Sequence, residues 1–252
     1  MISVTAIIVM LAIGILGGFI SGLVGIGGAI VIYPALLLLP PLFGLPTYSA
    51  YIASGLTSSQ VFFSTLSGSL KAYKNKNFSR TLILNMGSGM VIGSILGALL
   101  ATVFNSHFVN VIYIIIALLA LILMFIKITP STSHIKFNRV LLITIGSIIG
   151  LVSGIVGAGG AFIIIPVLLV IFKLPMNMVV TNSIVIAFIS SIGAFIIKLL
   201  QGYIPINSAI PLILGSILFT PLGMKIGQKI PDSIQKVIVS VLIVFAIIKL
   251  IF

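Results

Sequence analysis

A glycine-rich octapeptide occurs twice in this chain, and each copy interrupts a long apolar run. The first copy is Gly22-Leu23-Val24-Gly25-Ile26-Gly27-Gly28-Ala29, and the second is Gly154-Ile155-Val156-Gly157-Ala158-Gly159-Gly160-Ala161. When the segment 14–37 is aligned in the same register with 146–169, thirteen of its 24 positions are identical. Agreement of this extent indicates an internal duplication.

The composition is that of a polytopic membrane protein. Hydrophobic residues make up 60% of the chain and charged residues only 6%, and the apolar runs are separated by short polar joints. The formal charge of +12 comes from 13 basic residues that lie in loops and at segment ends. Because they form no basic face interleaved with aromatic residues, we expect the lipid bilayer, and no nucleic acid, as a partner.

The apolar segments predict an all-α membrane protein of about eight transmembrane elements in two four-element repeats. We expect residues 1–128 to form the first repeat, 129–138 a linker and 139–252 the second repeat. The first element of each repeat, at 3–39 and 140–172, is broken or re-entrant at its glycines. The other predicted spans are at about 48–69, 82–103 and 108–126, and at about 176–198, 206–224 and 233–252.

Two topologies are open, and they differ in whether the long broken runs cross the membrane. If each run crosses once, the basic residues divide nine against four between the two sides. If each run folds back, the repeats are inverted, both termini are outside and the division is eleven against two, with only Lys198 and Lys249 on the minor side. The positive-inside rule favours the folded-back, inverted arrangement.

The glycine elbows suggest an anion site. The first N–H groups of a helix have no intrahelical acceptor and carry positive partial charge, and glycine lets a ligand approach the backbone closely. Broken helices of inverted repeats commonly meet at a transporter's binding site. The alternative is that the glycines only allow close packing, which we prefer for Gly14, Gly18, Gly93 and Gly97. The predicted binding residues at the elbows are Gly25, Gly27, Gly28, Ala29, Gly157, Gly159, Gly160 and Ala161.

The polar residues within the spans also favour an anion. The chain has one acidic residue, Asp232, which falls in a turn, so no intramembrane carboxylate is available to bind a cation or relay protons. Beyond the proline joints the register between the two halves shifts slightly, and the shifted register aligns Ser54 with Ser183. Lys173 and Lys198 could neutralise an anion, but both lie near span ends, where lysines ordinarily reach out to the interface, and we prefer this second interpretation. The candidate neutral ligands are Ser54, Thr57, Ser58 and Gln60 in the first half, and Thr181, Asn182 and Ser183 in the second.

These features together resemble the sulfite exporter TauE/SafE family of membrane transporters. The resemblance rests on the doubled glycine motif, on Pro34 and Pro166 shortly beyond it, and on the Leu-Pro joints that precede segments of small and polar residues. It covers nearly the whole chain. It implies secondary transport of a small sulfur-containing anion, such as sulfite or a short organosulfonate, across the bacterial cytoplasmic membrane.

We therefore expect a multi-pass transporter of a small anion, with a passive small-anion channel as the alternative. The chain has no cysteine, no phosphate-binding loop and no paired carboxylates, so we expect no enzymatic activity, no cofactor and no metal site. Neither the direction of transport, the coupling ion nor the oligomeric state can be read from the sequence.

Overall fold

The fold of the protein is entirely helical wherever its structure, a computed structural model, describes the chain, which is over residues 3–25, 27–126 and 138–251. This confirms the all-α prediction. The ten helices of the described ranges are α1 (Val4–Val24), α2 (Ala29–Leu42), α3 (Ala50–Ala72), α4 (Arg80–Leu100), α5 (Ser106–Phe125), α6 (Arg139–Val156), α7 (Ala161–Val170), α8 (Met176–Leu200), α9 (Ile206–Gly227) and α10 (Asp232–Ile251).

Six of the described helices, α1, α4, α5, α6, α8 and α9, are long and apolar enough to cross a membrane. Helix α3 has 23 residues but is rich in hydroxyl groups, and its polar positions from Ser54 to Gln60 are fully buried. These hydroxyls are compatible with a membrane protein because α3 packs among α1, α8 and α9, which surround it. Helix α3 therefore lies in the centre of the bundle.

The helix breaks predicted at the two glycine motifs are present. Helix α1 ends at Val24 and α2 begins at Ala29, while α6 ends at Val156 and α7 begins at Ala161. The described glycines between them all adopt left-handed backbone conformations, which residues with a Cβ rarely tolerate. Their φ angles are 80° at Gly25, 68° at Gly27, 75° at Gly28, 78° at Gly157, 60° at Gly159 and 70° at Gly160.

The first apolar run folds back on itself. Gly28 lies against the backbone of Gly17, two helical turns before the end of α1. At the other end of α2, Leu39 and Phe43 line the same surface cavity as Thr5 at the start of α1. Helices α1 and α2 therefore form an antiparallel hairpin, and the run does not continue as one straight helix.

Glycines hold two parallel helix pairs together, α1 with α9 and α4 with α6. At each of the four glycines assigned to packing, a Cβ would lie under 3.0 Å from the partner helix, closer than real Cβ contacts allow. The packing interpretation of these four residues is therefore confirmed. The contacts are Gly14 with Leu212, Gly18 with Ser216, Gly93 with Ser147 and Gly97 with Leu151.

Helices α3 and α8 are antiparallel in the centre of the bundle. Gly55, near the start of α3, lies against Tyr203 just beyond the end of α8, while Gly68, near the end of α3, contacts Ile184. Between these contacts, Phe62 stacks on Phe195 with ring centroids 4.8 Å apart. The two helices that match in sequence thus run in opposite directions.

The helix directions place the α3–α4 loop, the start of α8 and the end of α9 at one end of the bundle, which we call the basic face. Asn77, Asn177 and Gln228 from these three segments line one cavity there. The positive-inside rule predicts that such a face is cytoplasmic. Its described basic residues are Lys71, Lys74, Lys76, Arg80, Arg139, Lys173, Lys225 and Lys229.

The opposite end of the bundle is here called the neutral face. Its connecting segments, 43–49, 101–105 and 201–205, contain neither lysine nor arginine. Helix α5 ends, and helix α6 begins, at the basic face. Of the predicted linker 129–138, only Asn138 is among the described residues, where it caps α6 by accepting from Val140 N–H at 3.0 Å.

Candidate functional site

Each glycine elbow is tied to a central helix from the other half of the sequence. We call residues 25–28 the first elbow and residues 157–160 the second elbow; Ile26 lies outside the described residues. The Ser183 hydroxyl on α8 donates to the Gly25 carbonyl at 3.0 Å. The matching Ser54 on α3 donates to the Ile155 carbonyl, just before the second elbow, at 3.3 Å. These aligned serines thus make corresponding contacts.

The inner ends of the elbows lie beside adjacent residues of α3. A Cβ built at Gly28 would be 3.2 Å from the Gln60 Nε2, and one built at Gly159 would be 3.0 Å from the Val61 Cγ1. Helices α2 and α7, which leave the two elbows, also contact each other. The structure therefore brings together two glycine segments that belong to different halves of the sequence.

Both elbows present the N-terminus of a helix that lacks a side-chain cap. Gly28 precedes α2 and Gly160 precedes α7, and neither terminus has a capping hydrogen bond from a described side chain. The leading N–H groups of a helix have no acceptor within it and carry positive partial charge. Ala29, predicted as a site residue, is buried at the start of α2. Ala161 begins α7, and its side chain lies outside the described atoms. Such a pair of termini can stabilise an anion.

The Gln60 side chain is buried beside the first elbow with unused hydrogen-bonding groups. It has no solvent exposure, and neither its Nε2 nor its Oε1 has a partner among the described residues. A buried amide without partners costs roughly 1–3 kcal/mol for each unsatisfied group. A polar ligand between the elbows would recover this cost, because the amide offers both donors and an acceptor.

Three predicted hydroxyl ligands donate to their own helices. The acceptors are carbonyls in the preceding helical turn, a common arrangement for intramembrane serine and threonine. Their hydroxyl protons are therefore used within α3 and α8, and only the lone pairs of their oxygens are left for further hydrogen bonds. Their assignment as substrate ligands stays a prediction. The bonds are Thr57 to Ala53 at 2.7 Å, Ser58 to Gly55 at 2.8 Å and Thr181 to Asn177 at 2.8 Å.

Asn182 binds the loop at the basic face. Its Nδ2 donates to the carbonyls of Asn77 at 2.8 Å and Met178 at 2.7 Å. Its Oδ1 accepts from Ser79 N–H at 2.8 Å. Both amide protons are thus used within the protein, so Asn182 holds the α3–α4 loop against α8. A substrate could reach these donors only if the loop moved, and the assignment of Asn182 as a ligand stays a prediction.

The expectation that Lys198 reaches out to the interface is wrong. Its side chain is fully buried, and its Nζ donates to the Ile155 carbonyl at 3.3 Å, the acceptor that Ser54 also uses. Lys173, for which the same expectation was made, is exposed. Lys198 continues, at helical spacing, the buried face of α8 that includes Ser183 and Ala194. That periodicity was the available signal for its burial.

A cavity of about 240 Å³ opens at the basic face and reaches Gly22 and Leu23, just before the first elbow. No sequence pattern points directly to this cavity, because its lining comes from five separate segments. Its polar lining is neutral, which suits passage of a small polar solute. The polar side chains are Asn75, Asn77, Asn177, Thr181, Gln228 and Gln235.

Comparison with known proteins agrees with this architecture. A family model described as "Sulfite exporter TauE/SafE" matches residues 10–250. The chain is 26% identical to the "Probable membrane transporter protein YunE" of Bacillus subtilis over 260 residues, covering 94% of each chain. It is also 26% identical to the "Probable membrane transporter protein MJ0441" of Methanocaldococcus jannaschii over 249 residues, covering 92% of this chain and 90% of the relative. No solved structure matches significantly.

Proposed function

Because the chain belongs to the sulfite exporter TauE/SafE family, we propose that it is a secondary transporter of a small sulfur-containing anion across the bacterial cytoplasmic membrane. Membership in this family of multi-pass membrane transporters is shown by the match over nearly the whole chain. The proposal concerns the substrate, which would be sulfite or a short organosulfonate, and the way in which it is bound and moved.

The observation that carries the proposal is that two uncapped helix N-termini follow elbows that lie along the same stretch of α3, with a buried, unpartnered amide beside the first elbow. Gly28 and Gly159 flank the adjacent residues Gln60 and Val61 of α3, and both atoms of the Gln60 amide lack partners among the described residues. The chain has no carboxylate side chain except Asp232, at the start of α10. Partial positive charge from two directions, with no acid nearby, favours an anion.

We also propose that the protein consists of two inverted repeats, 1–128 and 139–252. The contacts support this arrangement, since α1 packs along α9 as α6 packs along α4, and the helices equivalent in sequence, α3 and α8, are antiparallel. In inverted-repeat transporters the substrate binds near the midplane, where broken helices from the two repeats meet. The elbows would occupy that position here.

Alternating access would come from movement of the elbows against the central helices. Ser183 links the first elbow to α8, and Ser54 links α3 to the end of the helix before the second elbow. Single hydrogen bonds of this kind contribute about 1 kcal/mol each and can be broken at low cost. The cavity at the basic face reaches Gly22 and Leu23, so it would let the substrate reach the first elbow from the cytoplasm.

Thermal stability of the purified protein tests the substrate. A ligand that binds only the folded state at 100 times its Kd stabilises it by about 2.7 kcal/mol, which corresponds to roughly 5–11 °C in Tm for a chain of this size. We expect such a shift with at least one of sulfite, thiosulfate, sulfoacetate and taurine, and a smaller one with acetate. Equal shifts with acetate, or no shift with any sulfur compound, would contradict the proposed substrate class.

Reconstituted vesicles separate a carrier from a passive channel. Vesicles that contain a carrier and are loaded with unlabelled substrate accumulate labelled substrate transiently against its gradient. This happens because the binding site returns to the outside occupied by unlabelled substrate. A channel only equilibrates the label. We therefore expect saturable counterflow, and its absence despite rapid equilibration would favour the channel.

A further inference from the structure

We propose that Lys198 binds the transported anion directly and provides the positive charge of the site, beside the second elbow. This inference rests on the proposed function, since it names the group that balances the substrate's charge. The elbows offer only partial charges from backbone dipoles. Lys198 is the described lysine that is fully buried, and it lies where the second elbow meets α3.

The Lys198 ammonium is incompletely satisfied within the protein. Its one hydrogen bond among the described residues is to the Ile155 carbonyl at 3.3 Å. An ammonium group has three donors, so two remain for another acceptor. A charge buried without a counter-ion is strongly disfavoured unless a partner compensates it. An anion at the Nζ would supply both the missing acceptors and the missing counter-charge.

No aspartate or glutamate of this chain can be that partner. The sole acidic residue, Asp232, begins α10 at the basic face. Helix α8 begins at that face with Met176, and Lys198 lies in its last turn. At the usual helical rise, Lys198 is separated from Met176 by about 33 Å along the helix axis. The compensating anion must therefore come from outside the protein's carboxylate side chains.

The surroundings of the Nζ suit the head of a small oxyanion. The Ser54 hydroxyl donates to the same Ile155 carbonyl, at 3.3 Å, and could turn toward a bound anion. Gly157 packs directly against Ser54, where a Cβ would collide with the carbonyl oxygen, so the absence of a side chain lets the backbone of the second elbow approach α3 closely. The second elbow then runs from Ser54 to Val61, about 10 Å along α3. Lys198 thus stands at one end of the second elbow, with Val61 of α3 beside its inner end.

The first half of the protein has no lysine at the position that matches Lys198. In the register that aligns Ser54 with Ser183, the residue matching Lys198 is Ser69. Ser69 donates to the Leu66 carbonyl of its own helix at 2.9 Å. The first elbow therefore has no corresponding ammonium, and we infer that the anionic head binds beside the second elbow, on the side toward the neutral face.

Binding of ³⁵S-labelled sulfite to purified variants tests the inference, with sulfoacetate as a second probe. We expect Lys198→Met and Lys198→Gln to weaken binding about 10- to 100-fold, the range for losing a hydrogen bond to a charged group. Lys198→Arg keeps the charge and should retain binding to within a few fold. The matched control is Lys71→Met, in the last turn of α3, whose exposed Nζ donates to the Pro221 carbonyl at 3.2 Å; it should bind as the wild type does.

Stability without anion separates a ligand from a structural lysine. Removing an uncompensated buried charge should leave the Tm of Lys198→Met unchanged or higher, so a neutral variant that unfolds would overturn the inference. Binding by Lys198→Met within twofold of the wild type would also overturn it, while leaving the proposed function intact. Failure of the wild type to bind any of the sulfur anions would refute the proposed function, and this inference with it.

Discussion

The most direct test of the elbow geometry is the substitution Gly157→Ala. Gly157 ends α6 with φ of 78°, and a Cβ there would collide with the Ser54 carbonyl of α3. Gly202 provides a matched control, because its φ is 75° and a Cβ there would have no atom within 4 Å. The two alanine variants therefore share the backbone strain, and only Gly157→Ala adds the steric conflict.

The expected costs follow from these two terms. A left-handed alanine costs about 1–2 kcal/mol, which is the whole effect expected for Gly202→Ala. Forcing a methyl group into a packed contact adds about 1–3 kcal/mol at Gly157, because the opposing atom belongs to backbone and cannot rotate away. Gly157→Ala should thus lose about 2–5 kcal/mol in total. For a chain of this size, each kcal/mol corresponds to roughly 2–4 °C in Tm.

The measurement is the Tm of both variants in the same detergent, without added anion. We expect Gly157→Ala to melt several degrees below Gly202→Ala. When Ser54→Gly is introduced into both variants, the difference in Tm should persist, because this substitution leaves the backbone carbonyl of residue 54 in place. Equal Tm values would show that the second elbow does not rest on α3 at Ser54. The binding site proposed between the elbows would then lose its geometric basis.

Two further predictions concern the basic face and the orientation in the membrane. Replacing Asn182 by Ala removes three hydrogen bonds to the α3–α4 loop and its own helix, so trypsin should cleave that loop faster in inverted vesicles. Asn85→Ala, which loses only a hydrogen bond to Thr81 of its own helix at 2.7 Å, should not change the rate of cleavage. Equal cleavage rates for the two variants would contradict the conclusion that Asn182 holds the loop against α8. Because the chain has no cysteine, an impermeant maleimide should label Thr47→Cys in intact cells but Gln228→Cys only in inverted vesicles, and the opposite result would reverse the assigned orientation.

Local features of the fold could be predicted because their cause lies within a few residues. An apolar run that extends from 3 to 39 is too long for one span, and clustered glycines are the residues that adopt left-handed backbone at low cost. The breaks at 25–28 and 157–160 follow from these two facts. The packing of Gly14 and Gly97 was likewise predictable, since small residues at helical spacing allow helices to approach closely.

The candidate site could be predicted only in part, because its members are selected by neighbours distant in the chain. The sequence indicated that Gln60 and Lys198 are polar residues in apolar spans, but not what surrounds them. A lysine in the last turn of α8 has the length to reach the interface, and the expectation failed because the end of α6 and α3 cover it. Asn182 is satisfied by a loop from the other half of the sequence.

By itself, the sequence determined that this chain is an all-helical membrane protein with a duplicated glycine break, because hydrophobic length and left-handed glycine are local properties. It also excluded an intramembrane carboxylate, since composition alone shows that there is none to place. The tertiary structure was needed to show that the first elbow lies beside Gln60 and the second beside Val61, that Asn182 holds a loop and that Lys198 is buried. These outcomes depend on helix packing between segments that are far apart in the chain, for which the periodicity of a single helix carries no information.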